Sequence, residues 1–183
     1  MLSLLMCGGR GTRLKRGEKP LFEVCGMKLI DHSLKALKKC EIIAVTSPFV
    51  PKTEEHLRNI GVPIFRAKGM GFVEDYRECS LYLSLKGPVL VTSADIVYLR
   101  DGIIDEVIEF YKKCGKMALK VIKNSEAVGI NVVIADFEGE QEEEEYIVED
   151  IININTLEDV KRAELLWNSM KKDITLQEGL KRS

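Results

Sequence analysis

Short apolar runs and amphipathic stretches take turns along most of the chain. Residues 2–7, 41–47, 88–95, 117–122 and 129–134 are rich in Val, Ile and Leu and are bounded by Gly, Pro, Ser or Asp, the pattern of buried strands, and residues 62–65 read as a shorter one. Between them, apolar residues recur at helical spacing. Leu34 and Leu37 mark the inner face of a helix that Asp31 can cap and that ends near Cys40, while Leu57 and Ile60 mark a second that follows Thr53 and stops at Gly61. A third spans about 72–85, after the loop Lys68-Gly69-Met70-Gly71, and Ile104, Val107, Ile108 and Tyr111 lie along a fourth. Thr156 and Asp159 form a Thr-x-x-Asp start for the last helix, whose stripe is Leu157, Val160, Ala163, Trp167 and Met170. The nearly all-acid residues 138–145 read as a solvated loop or hairpin.

Strands alternating with helices predict an α/β fold with a mostly parallel sheet covered on both faces. The 183 residues suit one such domain, 1–183. Ligands bind open sheets of this kind beyond the carboxyl ends of the strands. Three polar segments are predicted there: Gly8 and its successors after the first strand, Thr46-Ser47-Pro48 after the second, and Ser93-Ala94-Asp95 after a later one.

The first of these segments carries the clearest chemistry. Leu5-Met6-Cys7-Gly8-Gly9-Arg10-Gly11-Thr12-Arg13 runs on to Glu18-Lys19-Pro20-Leu21. Glycines let backbone N–H groups turn toward an oxyanion, and Arg13 and Lys19 supply balancing charge, so the segment reads as a phosphate cradle. A Walker loop needs a glycine four residues before Gly-Lys-Ser/Thr, and the dinucleotide fingerprint needs a third glycine where Leu14 stands. At every position the segment instead resembles the Gly-Gly-x-Gly-Thr-Arg…Lys-Pro loop with which nucleotidyltransferases grip an incoming NTP. Asp95, at the end of an apolar strand, is the leading candidate for a divalent ion, with Asp150 second. His32 and His56 fall on predicted helices away from the strand ends and read as structural.

A net charge of −2 offers no general attraction to nucleic acid. Cys7, Cys25, Cys40, Cys79 and Cys114 are scattered without a C-x-x-C pair, which suggests neither a zinc site nor a disulfide framework and fits a reducing compartment. No signal-peptide pattern opens the sequence and no apolar run approaches the roughly 18 residues of a membrane span, so a cytoplasmic protein is expected. Glutamine occurs only at Gln141 and Gln177 among many Lys and Glu, a bias of proteins from hot environments.

Read in order, the first loop, Thr46-Ser47-Pro48 with Pro51-Lys52-Thr53, Lys68-Gly69-Met70-Gly71 with Glu74-Asp75, Ser93-Ala94-Asp95, Gly129-Ile130-Asn131-Val132-Val133 and Asn153-Ile154-Asn155-Thr156 resemble the archaeal adenosylcobinamide-phosphate guanylyltransferases, from about residue 2 to 164. The resemblance implies a three-layer α/β/α, Rossmann-like fold of the nucleotide-diphospho-sugar-transferase type. It also implies transfer of GMP from GTP to adenosylcobinamide phosphate, giving adenosylcobinamide-GDP and pyrophosphate in cobalamin biosynthesis. GTP is then a substrate, Mg²⁺ a candidate cofactor whose need stays open, the corrinoid phosphate the acceptor, and a homodimer an assembly left open. By position, Gly8, Gly9, Gly11 and Thr12 would bind the triphosphate and Arg13 and Lys19 neutralise it. Ser47, Gly129 and Asn131 would contact base or ribose, and Asn155 either a ligand or the sheet edge. Superfamily members commonly carry alanine where this chain has Cys7. The alternatives are a molybdenum cofactor guanylyltransferase, with the same cradle and another acceptor, a nucleotide-sugar pyrophosphorylase, and a GTP-binding module without turnover.

Overall fold

The computed structural model describes residues 1–9 and 17–181, with side chains through residue 170. Gly11, Thr12 and Arg13 therefore lie outside the described residues. The strands are β1 (Leu2–Met6), β2 (Glu23–Val24), β3 (Met27–Lys28), β4 (Glu41–Thr46), β5 (Ile64–Arg66), β6 (Pro88–Ser93), β7 (Ile96–Tyr98), β8 (Ala118–Lys123), β9 (Glu126–Ile134), β10 (Glu143–Ile147) and β11 (Ile151–Asn153). The helices are α1 (Leu29–Ala36), α2 (Pro51–Asn59), α3 (Phe72–Tyr82), α4 (Ile103–Cys114) and α5 (Leu157–Lys181).

Seven strands form the main sheet in the order β10-β8-β9-β6-β1-β4-β5. β9 runs antiparallel to β6 and β8, and the other pairings are parallel. Alternation sorts the apolar residues to two faces. Leu5, Ala44, Leu90, Leu119 and Ile130 pack with Ile30 and Leu37 of α1 and its flank, Leu57 of α2, and Ile104 and Val107 of α4. Leu4, Met6, Val45, Val89 and Val91 face the other way, onto Cys79 of α3. That is the predicted three-layer α/β/α arrangement, with three helices on one face and α3 on the other.

A second, smaller unit sits beside the sheet. β7 pairs with β11 and β2 with β3, both antiparallel. Val24, Leu29, Val97, Ile152 and Ile154 pack there against Val160 and Ala163 of α5. Each strand is only two or three residues long, too short for periodicity to reveal.

Three local expectations are corrected. Asp31 lies inside α1, whose N-cap is Lys28, and its carboxylate instead meets His56 at 3.1 Å. Thr53 lies inside α2, which starts at Pro51. Proline suits a first helical position, and the carboxylate of Glu18 accepts the N–H groups of Lys52 (2.8 Å) and Thr53 (2.6 Å) from across the chain. The acidic stretch is only partly loop. Glu143–Ile147 is an edge strand, because Tyr146 points inward onto Phe110 (ring centroids 4.8 Å apart) while Lys120 holds Glu143 and Glu145 at 2.8 and 2.9 Å. Charge on that row also discourages edge-to-edge pairing.

Candidate active site

The carboxyl ends of β1, β6 and β4 lie side by side in the sheet, and the glycine loop begins on the first of them. Ser47, fully buried after β4, donates its hydroxyl to the carbonyl of Gly8 at 2.7 Å and accepts the N–H of Phe49 at 3.2 Å. Both hydrogen-bonding roles of the hydroxyl are thus taken up in holding the loop from beneath. A Cβ on Gly8 would stand 3.1 Å from the Cβ of Ser47, so a larger residue there would push Ser47 aside by a few tenths of an ångström. Glu18, bonded to the start of α2, fixes the other end of the loop. Gly9 lies on the open side, with nothing within 4 Å of where its Cβ would be.

Lys19 begins a short 3₁₀ turn, Lys19–Leu21, that leads into β2. Its Nζ donates to Asp95 Oδ2 at 2.5 Å and to Asn155 Oδ1 at 2.9 Å. Ser93 Oγ donates to Asp95 Oδ1, also at 2.5 Å. The lysine and aspartate side chains are 16% and 21% exposed, enough for a ligand to reach and dry enough for charge to act strongly. The small unit is what gathers them. Asp95 immediately precedes β7, Asn155 follows β11, and the N–H of Ile154 donates to the carbonyl of Asp95 at 2.9 Å.

Gly129 is also drawn in. Its φ is +76°, and a Cβ there would meet Ser93 Cβ at 3.1 Å, so the chain at the head of β9 presses against the residue that orients Asp95. Asn131 lies farther down the same strand, opposite Val91 and Lys120 and on the face that α3 shares. The N–H groups of Asn155 and Thr156 both donate to Asp159 Oδ2, at 2.9 and 2.8 Å, and the N–H of Asp159 donates back to Thr156 Oγ1 at 3.2 Å, the expected cap of α5.

Asp150 is not brought to Asp95. Its carboxylate accepts from Arg100 Nε at 2.7 Å, and Arg100 also holds Glu106 in α4. His32 Nε2 donates to the carbonyl of Val24 (2.9 Å) and the ring stands edge-on to Trp167, with burial holding its pKa below the usual value. His56 is occupied by Asp31 and Lys28. Burial and, secondly, the charge of Asp95 push the Cys7 thiol far up, so it is an inert packing residue. Among the described residues no group of three His, Cys, Asp or Glu side chains is gathered as a metal cage, and no helix is long and apolar enough to cross a membrane.

A glycine loop with a lysine and an aspartate locked together at the strand ends can hold a polyphosphate and stabilise charge on it. Residues 3–142 match the MobA-like NTP transferase domain. The chain belongs to the MobA-like NTP transferases. One relative of this NTP transferase, an adenosylcobinamide-phosphate guanylyltransferase from Methanocaldococcus jannaschii, is 35% identical over 200 positions, which span 94% of this chain and 99% of the relative. Two solved structures share the fold. Molybdopterin-guanine dinucleotide biosynthesis protein A from Archaeoglobus fulgidus aligns with TM-score 0.72 at 20% identity, covering 92% of this chain and all of that one. The inositol-1-phosphate CTP transferase of T. maritima aligns with TM-score 0.68 at 13% identity, covering 92% and 95%.

Proposed function

We propose that this NTP transferase moves GMP from GTP to adenosylcobinamide phosphate, releasing pyrophosphate. The observation that carries the reading is the match, along nearly the full length of both chains, to an adenosylcobinamide-phosphate guanylyltransferase. The geometry is of the kind the reaction needs. An acceptor phosphate monoester has a second pKa of about 6 and is mostly dianionic at neutral pH, so it attacks the α-phosphorus of GTP without a strong base. The bond to the β-phosphate oxygen breaks as the new P–O bond forms, and pyrophosphate carries the charge away. What the protein supplies is position and countercharge.

Gly8, Gly9, Gly11 and Thr12 would present N–H and hydroxyl donors to the triphosphate, and Arg13 and Lys19 would neutralise it. Lys19 is held ready by Asp95 and Asn155. Asp95 would also bind a divalent ion in the manner of Mg²⁺ sites with one carboxylate, where substrate oxygens and water complete the shell. The donor set fits that mode, because Asp95 borders the loop and its Oδ2 is bonded to an exposable lysine rather than to backbone. A bound Mg²⁺ would add charge stabilisation at the α-phosphate and the leaving pyrophosphate.

Pyrophosphate release from labelled GTP, measured with adenosylcobinamide phosphate and with molybdopterin as acceptors, tests the reading. Release with the corrinoid phosphate alone is expected. Release with molybdopterin alone would transfer the chain to molybdenum cofactor synthesis, and tight GTP binding without release in either case would make it a binding module.

A further inference from the structure

On the α3 side of the sheet, the first loop and the start of α3 enclose a cleft of about 340 Å³, the scale of a small-molecule site. Phe49, Met70 and Phe72 give it exposed apolar walls, and the backbone of Gly8 and Gly9 forms its inner edge. One acid lines it. Asp75, in the first turn of α3, is only 4% exposed. Its Oδ1 accepts the N–H groups of Gly69 and Met70, each at 3.0 Å. Its Oδ2 has no partner among the described residues and faces Gly8, 3.4 Å from where a Cβ would stand. In a residue otherwise buried, this carboxylate oxygen at the wall of the cleft is placed to accept from a donor on a ligand seated there.

The walls ask for a flat ligand with apolar faces, and the open oxygen asks for a donor on its edge. Guanine has both, with N1–H and the N2 amino group adjacent on one edge. Adenine presents a lone pair at N1 and a C–H at C2 on that same edge, which would leave the carboxylate unmet and face it with a second acceptor. We propose that Asp75 selects guanine, with Oδ2 accepting a hydrogen bond from the N2 amino group. The inference rests on the guanylyl-transfer reading, which places the triphosphate at the loop of Gly8 and so brings the base within reach of this cleft. That reading gives Asp75 no chemical role.

Calorimetric titration of the wild type and Asp75→Asn with GTP, ITP, XTP and ATP tests it, with melting temperatures measured alongside. ITP lacks the amino group, and XTP replaces it with a carbonyl oxygen. Asparagine keeps an oxygen for the Gly69 and Met70 N–H groups and places an N–H₂ donor where Oδ2 stood. The wild type is expected to bind GTP about tenfold or more tighter than ITP or ATP, the scale of one hydrogen bond to a charged group. The Asp75→Asn variant is expected to lose about tenfold or more for GTP while XTP gains relative to GTP. A uniform loss for all four nucleotides would make Asp75 a clasp of the 69–71 loop and nothing more. The wild-type comparison needs no variant to fold, and equal affinity for GTP and ITP there overturns the inference outright. Failure of the guanylyl-transfer reading looks different: no pyrophosphate leaves GTP in the presence of the corrinoid acceptor, whatever the base preference.

Discussion

Lys19 Nζ and Asp95 Oδ2 lie 2.5 Å apart although 76 positions separate the two residues in sequence. The ammonium is therefore already paired, and it is aimed by a third group, Asn155, at 2.9 Å. On the proposed reading, GTP would share this lysine with the acid or draw it away.

Removing the charge of Asp95 should separate binding from catalysis. In Asp95→Asn, Lys19 is released and an anion beside the triphosphate disappears, so metal-free GTP binding is expected to stay the same or tighten. Turnover is expected to fall about a hundredfold, the scale of losing one electrostatic stabiliser of a transition state. Single-turnover rates across a Mg²⁺ titration decide it, and rates unchanged at every concentration would rule out a metal-bridging role.

Lys19→Ala removes a charge-assisted contact and leaves Asp95 uncompensated against the nucleotide. GTP binding is expected to weaken about tenfold or more. Because part of that loss comes from the stranded acid, adding Asp95→Asn should recover some of it, a non-additivity readable in a double-mutant cycle of dissociation constants. Additive losses would mean that the pair does not act on the nucleotide as a unit.

Gly129→Ala forces a Cβ into a left-handed conformation and to within 3.1 Å of Ser93 Cβ. The backbone term alone costs about 1–2 kcal/mol. Thermal unfolding should show the loss, and turnover should fall further than stability, because Ser93 carries the hydrogen bond to Asp95 Oδ1. An active variant with only a lower melting temperature would show that Asp95 is oriented by other means.

Burial lowers the pKa of His32 from 6.5, so the unfolded chain takes up a proton there before the folded chain does. Stability contributed by the neutral ring is full above about pH 6.5 and is lost as pH falls from there through the lower folded value. Urea unfolding of the wild type and His32→Gln between pH 8 and 5 should show a steeper acid loss in the wild type. Parallel curves would show that another group sets the slope.

Long elements were legible because their burial is periodic. The runs at 41–47 and 88–95 became β4 and β6, and Ile104 and Val107 did point into the core. Asp31, Thr53 and the 138–145 stretch were misread because capping and edge pairing are decided by distant partners, Glu18 for α2 and Lys120 for β10. The loop motif marked Gly8 and Lys19 and the strand-end position marked Asp95, yet Asn155 could equally have served the sheet edge, and only β7 pairing with β11 brought it to the lysine. Asp75 stands in the sequence pattern without a role, since nothing in a string of letters tells a buried acid from a solvated one.

The pairing of β7 with β11 also sets an order of events as the chain is made. Chains are made from the amino end at about 5–20 residues per second, so the residues of β1, β4 and β6 are all present while the last ones are still being added. Asp95 would by then be exposed at a strand end with its lysine nearby but unaimed. The acid gains its backbone tie to Ile154, and the lysine its hydrogen bond to Asn155, only when residues 151–155 emerge and α5 closes over them. A nascent chain of 140 residues would carry the glycine loop and most of the fold, yet it would lack the segment that aims Lys19. The means to grip a nucleotide would thus come early in synthesis, and the alignment needed to cleave it would come last.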